Sequence, residues 1–255
     1  MLDYRPLDDI IRHKGLRLVL VRGMPSPWGQ AAKAMMELKK LDYVVAAQEA
    51  GGANESLLAW SGQTSAPVVA WADEPPRHHW LDILMLLERL APTPAMLPTD
   101  AALRALAVGF CNEICGELGV GWNRRLQMFA PAMESGNAPE GVARMSAKYG
   151  YGQSALDAAS TRTVGILQAL SHQLKAQHAR GLRFFVGDAV SALDIYWVTF
   201  MNLMDPLPAA ICPMPEAWRP GFVVSDPAIK AALDPILIEH RDRIFKDCFR
   251  NPMEL

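Results

Sequence analysis

Two hydrophobic periods share the chain. The apolar runs "LRLVLV" (residues 16–21), "DYVVAA" (42–47) and "APVVAWA" (66–72) are short and rich in β-branched residues, and they read as strands. Between the first two, Trp28, Ala31, Met35 and Leu38 recur at spacings of three and four, which predicts an amphipathic helix over 27–40. "WLDILMLLERL" (80–90) carries the same helical spacing. A strand, a helix and a second strand predict a right-handed crossover with a parallel pair.

The pattern then changes. "APTPAMLPTD" (91–100) holds three prolines in ten residues and reads as a linker. Beyond it, helical periodicity fills 100–118, 122–134, 153–179, 191–204 and 227–249, with Pro235 placed to kink or split the last stretch. The expected organisation is a mixed α/β domain over 1–92, a proline-rich linker over 93–99 and an all-helical domain over 100–255. "VSALDI" (190–195) has the form of a capping box, with Ser191 and Asp194 three residues apart and Val190 and Ile195 as a hydrophobic staple. The five prolines of "DPLPAAICPMPEAWRP" (205–220) mark a long ordered loop.

Composition narrows the partners. Of 255 residues 51% are hydrophobic and 20% charged, enough apolar material for a sizeable core and no disordered signature. Twenty-five basic residues stand against 27 acidic ones with no basic concentration, which argues against nucleic acid. The acidic opening "MLDYRPLDD" lacks a signal-peptide layout, and no apolar run approaches the roughly 18 residues that span a bilayer. Cys111, Cys115, Cys212 and Cys248 have no paired C-x-x-C spacing and fit reduced thiols. The expectation is a cytoplasmic protein with no membrane partner. His78–His79 lacks a third ligand at a fitting spacing, so no metal is expected.

The candidate chemistry begins at "GMPSPWGQAAKAM" (23–35). Ser26 precedes Pro27 at the start of the predicted helix. Serine is a favoured N-cap and proline a favoured first helical residue, so capping alone accounts for the pair. A hydroxyl at the positive end of a helix is also suited to hold an anion. Both readings stand at this point.

The stretches "SPWGQAAKAMMELKKLDY" (26–43), "SAPVVAW" (65–71), "ILMLLERLAP" (83–92), "GVGWNRRL" (119–126) and "FFVGDAVSALDIYW" (184–197), in this order, resemble the glutathione transferase superfamily. The resemblance implies an α/β thioredoxin-like N-terminal domain of glutathione-binding type, followed by an all-α C-terminal helical bundle. It implies that Ser26 is the catalytic residue contacting the glutathione sulfur, where the helix end and a hydroxyl donor favour thiolate. Pro67 matches the family's cis-proline, and Ala66 would offer backbone to the cysteinyl part of glutathione. Trp28, Ala66, Pro67, His79 and Trp80 are the implied glutathione-binding residues. Trp122, Arg124, Arg125, Tyr149 and Tyr151 are candidates for the electrophile pocket.

The sequence departs from the family at "DEPPRHHWLDIL" (73–84), where His78–His79 or His79–Trp80 replaces the usual acidic–serine pair for the γ-glutamyl end. The resemblance thus implies a homodimeric glutathione transferase-like enzyme. Glutathione would be its co-substrate, and the activated thiol would attack a small apolar electrophile. The alternative, favoured by the histidines, is a non-catalytic ligand-binding or interaction protein of the same fold with weak or no glutathione binding.

Overall fold

The computed structural model describes residues 2–255. Strands β1 (Tyr4–Arg5), β2 (Leu16–Val21), β3 (Tyr43–Gln48) and β4 (Val68–Ala70) form one sheet in the order β1-β3-β2-β4. β1 and β2 run parallel to β3, and β4 runs antiparallel to β2. The predicted parallel pair is therefore β2 and β3, joined through α2 (Pro27–Leu38). α1 (Leu7–Arg12), α3 (Glu55–Ser61) and α4 (Trp80–Leu90) complete this half.

All six residues of β2 are buried because both faces of the sheet are covered. Leu16, Leu18 and Leu20 enter the large core shared with α2 and α4, while Val19 points the other way, into a smaller cluster with Ile10 and Leu57. Buried Arg17 is held by the Ala72 carbonyl, by the Ile11 carbonyl at 3.3 Å and by the Trp60 ring face.

The second half contains α5 (Ala101–Cys115), α6 (Val120–Glu134), α7 (Glu140–Lys148), α8 (Gln153–Ala179) and α9 (Ala192–Met201). A 3-10 turn (Glu216–Trp218), α10 (Arg219–Phe222), α11 (Pro227–Ala232) and α12 (Pro235–Cys248) follow. Pro235 splits the predicted last helix. It stands at the first position of α12, behind Asp234, whose carboxylate accepts from the Ile236 N–H at 3.2 Å.

Every residue of α9 is buried, and its packing against α2 joins the two halves through one continuous apolar core. The proline-rich connection is pinned to that core. The buried Lys39 ammonium donates to the Ala91 and Pro94 carbonyls at 2.6 and 2.7 Å and pairs with Glu88 at 2.6 Å, and Met96 and Leu97 are buried. Among the described residues, no helix is long and apolar enough to cross a membrane.

Candidate functional site

Ser26 ends the turn that leaves β2. Its N–H donates to the Met24 carbonyl at 2.8 Å and its carbonyl receives the Gln30 N–H at 2.9 Å, which fixes it as the N-cap of α2. Its hydroxyl makes no capping hydrogen bond. Instead Ser26 lines a cleft of about 470 Å³ beside the start of a 12-residue helix, the arrangement a bound anion would use. Ser26 thus stands at the N-cap position and on the cleft at once, and the two readings do not exclude each other.

The neighbouring wall is the turn before β4. The Ala66–Pro67 bond is cis, as the sequence led one to expect, and Ala66 lines the cleft. The Ala66 N–H donates to Gln48 Oε1 at 3.5 Å, the long limit of a hydrogen bond and easily exchanged for a better acceptor. Gln48 closes β3 and lines the same cleft.

Aromatic side chains from both halves form a wall. Trp28 donates its indole N–H to the Cys115 carbonyl at 2.8 Å and meets Phe200 edge-on at 4.7 Å between centroids. Gly121 permits that meeting, because a Cβ there would lie 2.3 Å from the Phe200 ring and 2.9 Å from Trp28. Trp122 donates to the Tyr149 carbonyl at 2.9 Å, with the two rings 4.6 Å apart, and Trp28 and Phe129 flank Tyr149 at 6.3 and 5.9 Å. Burial raises the Tyr149 pKa, opposed by the Arg125 guanidinium beside its hydroxyl. Arg125 is half-buried and lines the cleft.

A narrower pocket of about 240 Å³ continues from the first past Trp28, Ser65, Ala66 and Tyr149. It is lined by Pro67, His78, His79, Trp80, Trp122, Glu117 and Lys148. Lys148 reaches from α7 to Ser65 Oγ at 2.5 Å and Gln63 Oε1 at 2.9 Å. Burial, then the positive charge of Lys148, lowers the His78 pKa, so this imidazole is neutral at neutral pH. His79 is the N-cap of α4 without a capping bond, and its ring lies 5.6 Å from that of Trp80. Trp80 is mostly core: it is buried and meets Tyr196 edge-on at 5.8 Å.

α7 roofs the cleft. Its Gly141 lies against Gly51 in the loop after β3, so closely that a Cβ on Gly141 would stand 2.9 Å from the Gly51 backbone. Arg144 adds a bond to the Gly51 carbonyl at 3.3 Å.

Two residues expected at the electrophile pocket lie elsewhere. Arg124 is turned into the helical half, where its Nε–H donates to the Leu203 carbonyl at 2.9 Å and its terminal N–H to Gln127 at 2.7 Å, and desolvation lowers its pKa to about 10. Tyr151 follows α7 and lines neither pocket. The sequence reading also missed Gln48, Glu117 and Lys148. Lys148 stands in the aromatic and cationic run "KYGYG" (148–152), which was a usable signal; Gln48 and Glu117 have none.

No protein-family model and no curated protein matches the sequence. The fold, by contrast, finds many solved counterparts. A Tau-class glutathione transferase from mango superposes with a TM-score of 0.55 at 21% identity, covering 91% of this chain and all (100%) of that one. A Methylobacterium radiotolerans glutathione transferase in complex with glutathione sulfonate gives 0.60 at 16% identity, over 94% of this chain and 97% of that one. A rice glutathione transferase in complex with glutathione gives 0.60 at 20%, over 94% of each chain.

The chain has the glutathione transferase fold. The mixed four-stranded sheet with its helices and the helical second half are the thioredoxin-like first domain and the helical second domain of that fold. In a glutathione transferase fold the two connected pockets lie between the domains, with Ser26 at one end and Lys148 at the other. Among the described residues, no three His, Cys, Asp or Glu side chains are grouped to hold a metal.

Proposed function

We propose that the protein activates the thiol of glutathione with Ser26 for attack on a small, largely apolar electrophile. The observation that carries this reading is the Ser26 hydroxyl, uncommitted to the helix it caps and lining a cleft between the two domains. Glutathione, when bound, supplies a thiol nucleophile. Ser26 would donate a hydrogen bond to the sulfur, and the positive end of α2 would favour its charged form. Ala66 would exchange its long bond to Gln48 for one to the peptide of the ligand.

The polar end fits a γ-glutamyl group by a different donor set from the usual acidic–serine pair. Lys148 would meet its carboxylate and Glu117 its ammonium, both presented by the helical domain. Trp28, Pro67, His79, Trp80 and Trp122 would line the glutathione; Arg125 and Tyr149 would face the electrophile. The assignment of residues 1–92 and 100–255 as glutathione-binding-type and helical domains, and a homodimeric state, belong to the same proposal. Light scattering giving a mass near the single-chain 28.0 kDa would overturn the dimer.

The test is the pH dependence of reaction with a generic aryl halide at saturating glutathione. Ser26→Ala should raise the kinetic pKa of the bound thiol, because a donor to its charged form is gone. An unchanged profile rejects the role of Ser26. His78 and His79 in place of the usual pair favour a second reading, a binding protein of this fold that does not use glutathione. Titration calorimetry showing no glutathione binding would select it.

A further inference from the structure

The larger cleft is apolar on most sides, with Val21, Met24, Phe129, Val142 and Met145 among its walls. Arg125 also lines it, and none of its lining residues is acidic. The Nε–H of Arg125 is buried with no hydrogen-bond partner, and the guanidinium has the neutral Tyr149 hydroxyl beside it. Arg124, its neighbour in sequence, is by contrast satisfied within the helical half by the Leu203 carbonyl and Gln127.

A cation held against apolar walls without a counter-ion is costly, and the cost is recovered when an anion arrives. The planar fork of a guanidinium matches a carboxylate in particular, through two parallel N–H···O bonds. We propose that Arg125 is a specificity-determining residue that selects ligands with an apolar body and a carboxylate, so the electrophile is an organic acid. Its apolar part lies against Phe129, Val142 and Met145, and its carboxylate replaces the counter-ion that the protein does not provide. The identification of this ligand as the electrophile rests on the thiol-transfer reading above; the binding preference itself does not.

The probes are trans-cinnamate and the isosteric, uncharged cinnamamide, titrated by calorimetry into the intact protein at neutral pH and low ionic strength. The wild type should bind cinnamate about tenfold or more tightly than cinnamamide, the factor expected of one charge-assisted pair. Arg125→Gln should bring the two affinities together mainly by weakening cinnamate. Arg125→Lys, which keeps the charge and loses the fork, should retain part of the preference and guards against misfolding of the first variant. Equal affinities in the wild type, no binding of either probe at millimolar concentration, or a preference that survives Arg125→Gln would each overturn the proposal. A parallel titration with glutathione separates the two ideas. Absence of glutathione binding alongside an Arg125-dependent cinnamate preference removes the thiol-transfer reading and leaves this one standing.

Discussion

Lys148 on α7 donates to the Ser65 hydroxyl at 2.5 Å and so carries a charge from the helical domain to the turn before β4. If it meets the γ-glutamyl carboxylate, its loss should be felt only by thiols that carry that group. Lys148→Met should weaken glutathione by about tenfold, consistent with a hydrogen bond to a charged group worth roughly 1.5–3 kcal/mol. Cysteinylglycine, which lacks the γ-glutamyl group, should bind both proteins alike. Equal losses for the two thiols would contradict the assignment and leave Lys148 as a brace for α7.

Gly121 makes a packing prediction. Its missing side chain admits the Phe200 ring and the edge of Trp28, and neither is the free end of a flexible chain. Gly121→Ala must push both aromatic rings aside, an overpacking cost of about 1–3 kcal/mol that outweighs the gain of roughly 1 kcal/mol in helix propensity. A denaturant midpoint at or above that of the wild type would show that the two rings yield freely.

The capping box of α9 ties two distant segments together. Asp194 is fully buried and accepts from the Ser191 N–H and hydroxyl, both at 2.8 Å, from the Phe185 N–H at 3.2 Å and from His240 Nε2 at 2.8 Å. Arg243 approaches His240 Nδ1 at 2.9 Å, which fixes the tautomer with its proton on Nε2. Asp194→Ala would leave several buried donors unpaired at about 1–3 kcal/mol each, so it should cost more than the roughly 0.5–2 kcal/mol of an ordinary lost cap. Adding Ser191→Ala should lower stability further, since the serine side chain also accepts from the backbone N–H of residue 194, which alanine keeps.

Burial is the main cause lowering the His240 pKa, with Asp194 opposing it. The folded protein therefore resists protonation of a group that titrates near pH 6.5 when unfolded. Above that pH both states carry a neutral ring and the group adds no pH dependence. As the pH falls below about 6.5 the unfolded state takes up a proton first, and folding stability drops. His240→Gln cannot titrate, so its stability curve between about pH 5 and 6.5 should be flatter than that of the wild type. Parallel curves would mean that the ring is not held neutral.

The elements legible in the sequence are those that bury a full face. β2 and β3 announce themselves as apolar runs, α2 by its spacing, and α9 by the box at its start. β1 has only Tyr4 and Arg5 and exists through its pairing with β3. α3 and α7 bury one residue each, Leu57 and Ser146, too few to leave a period. The cleft follows the same division. Ser26 and Ala66 are marked by their turns, but Glu117 and Lys148 are ordinary surface types brought to the pocket by the packing of α7 and the α5–α6 turn. Arg124 and Arg125 are adjacent in sequence yet about 100° apart on a helix, so one turns inward and the other to the cleft.

Ser26 can also be tested by stability alone, against caps in the same molecule. Asp100 caps α5 with its carboxylate on the Leu103 N–H at 2.8 Å, and Asp226 caps α11 with bonds to the Ala228 and Ile229 N–H groups at 2.8 and 3.3 Å. Asp100→Ala and Asp226→Ala should each cost about 1 kcal/mol, the usual value for a working cap. Ser26 has the same position on α2, also before a proline at the first helical residue, but makes no such bond. Ser26→Ala should therefore cost less than about 0.5 kcal/mol, within the range of substitutions that break no specific interaction. If all three variants lose the same stability in denaturant melts, the hydroxyl caps the helix in solution. It would then not be free to hold a thiolate without giving up that bond.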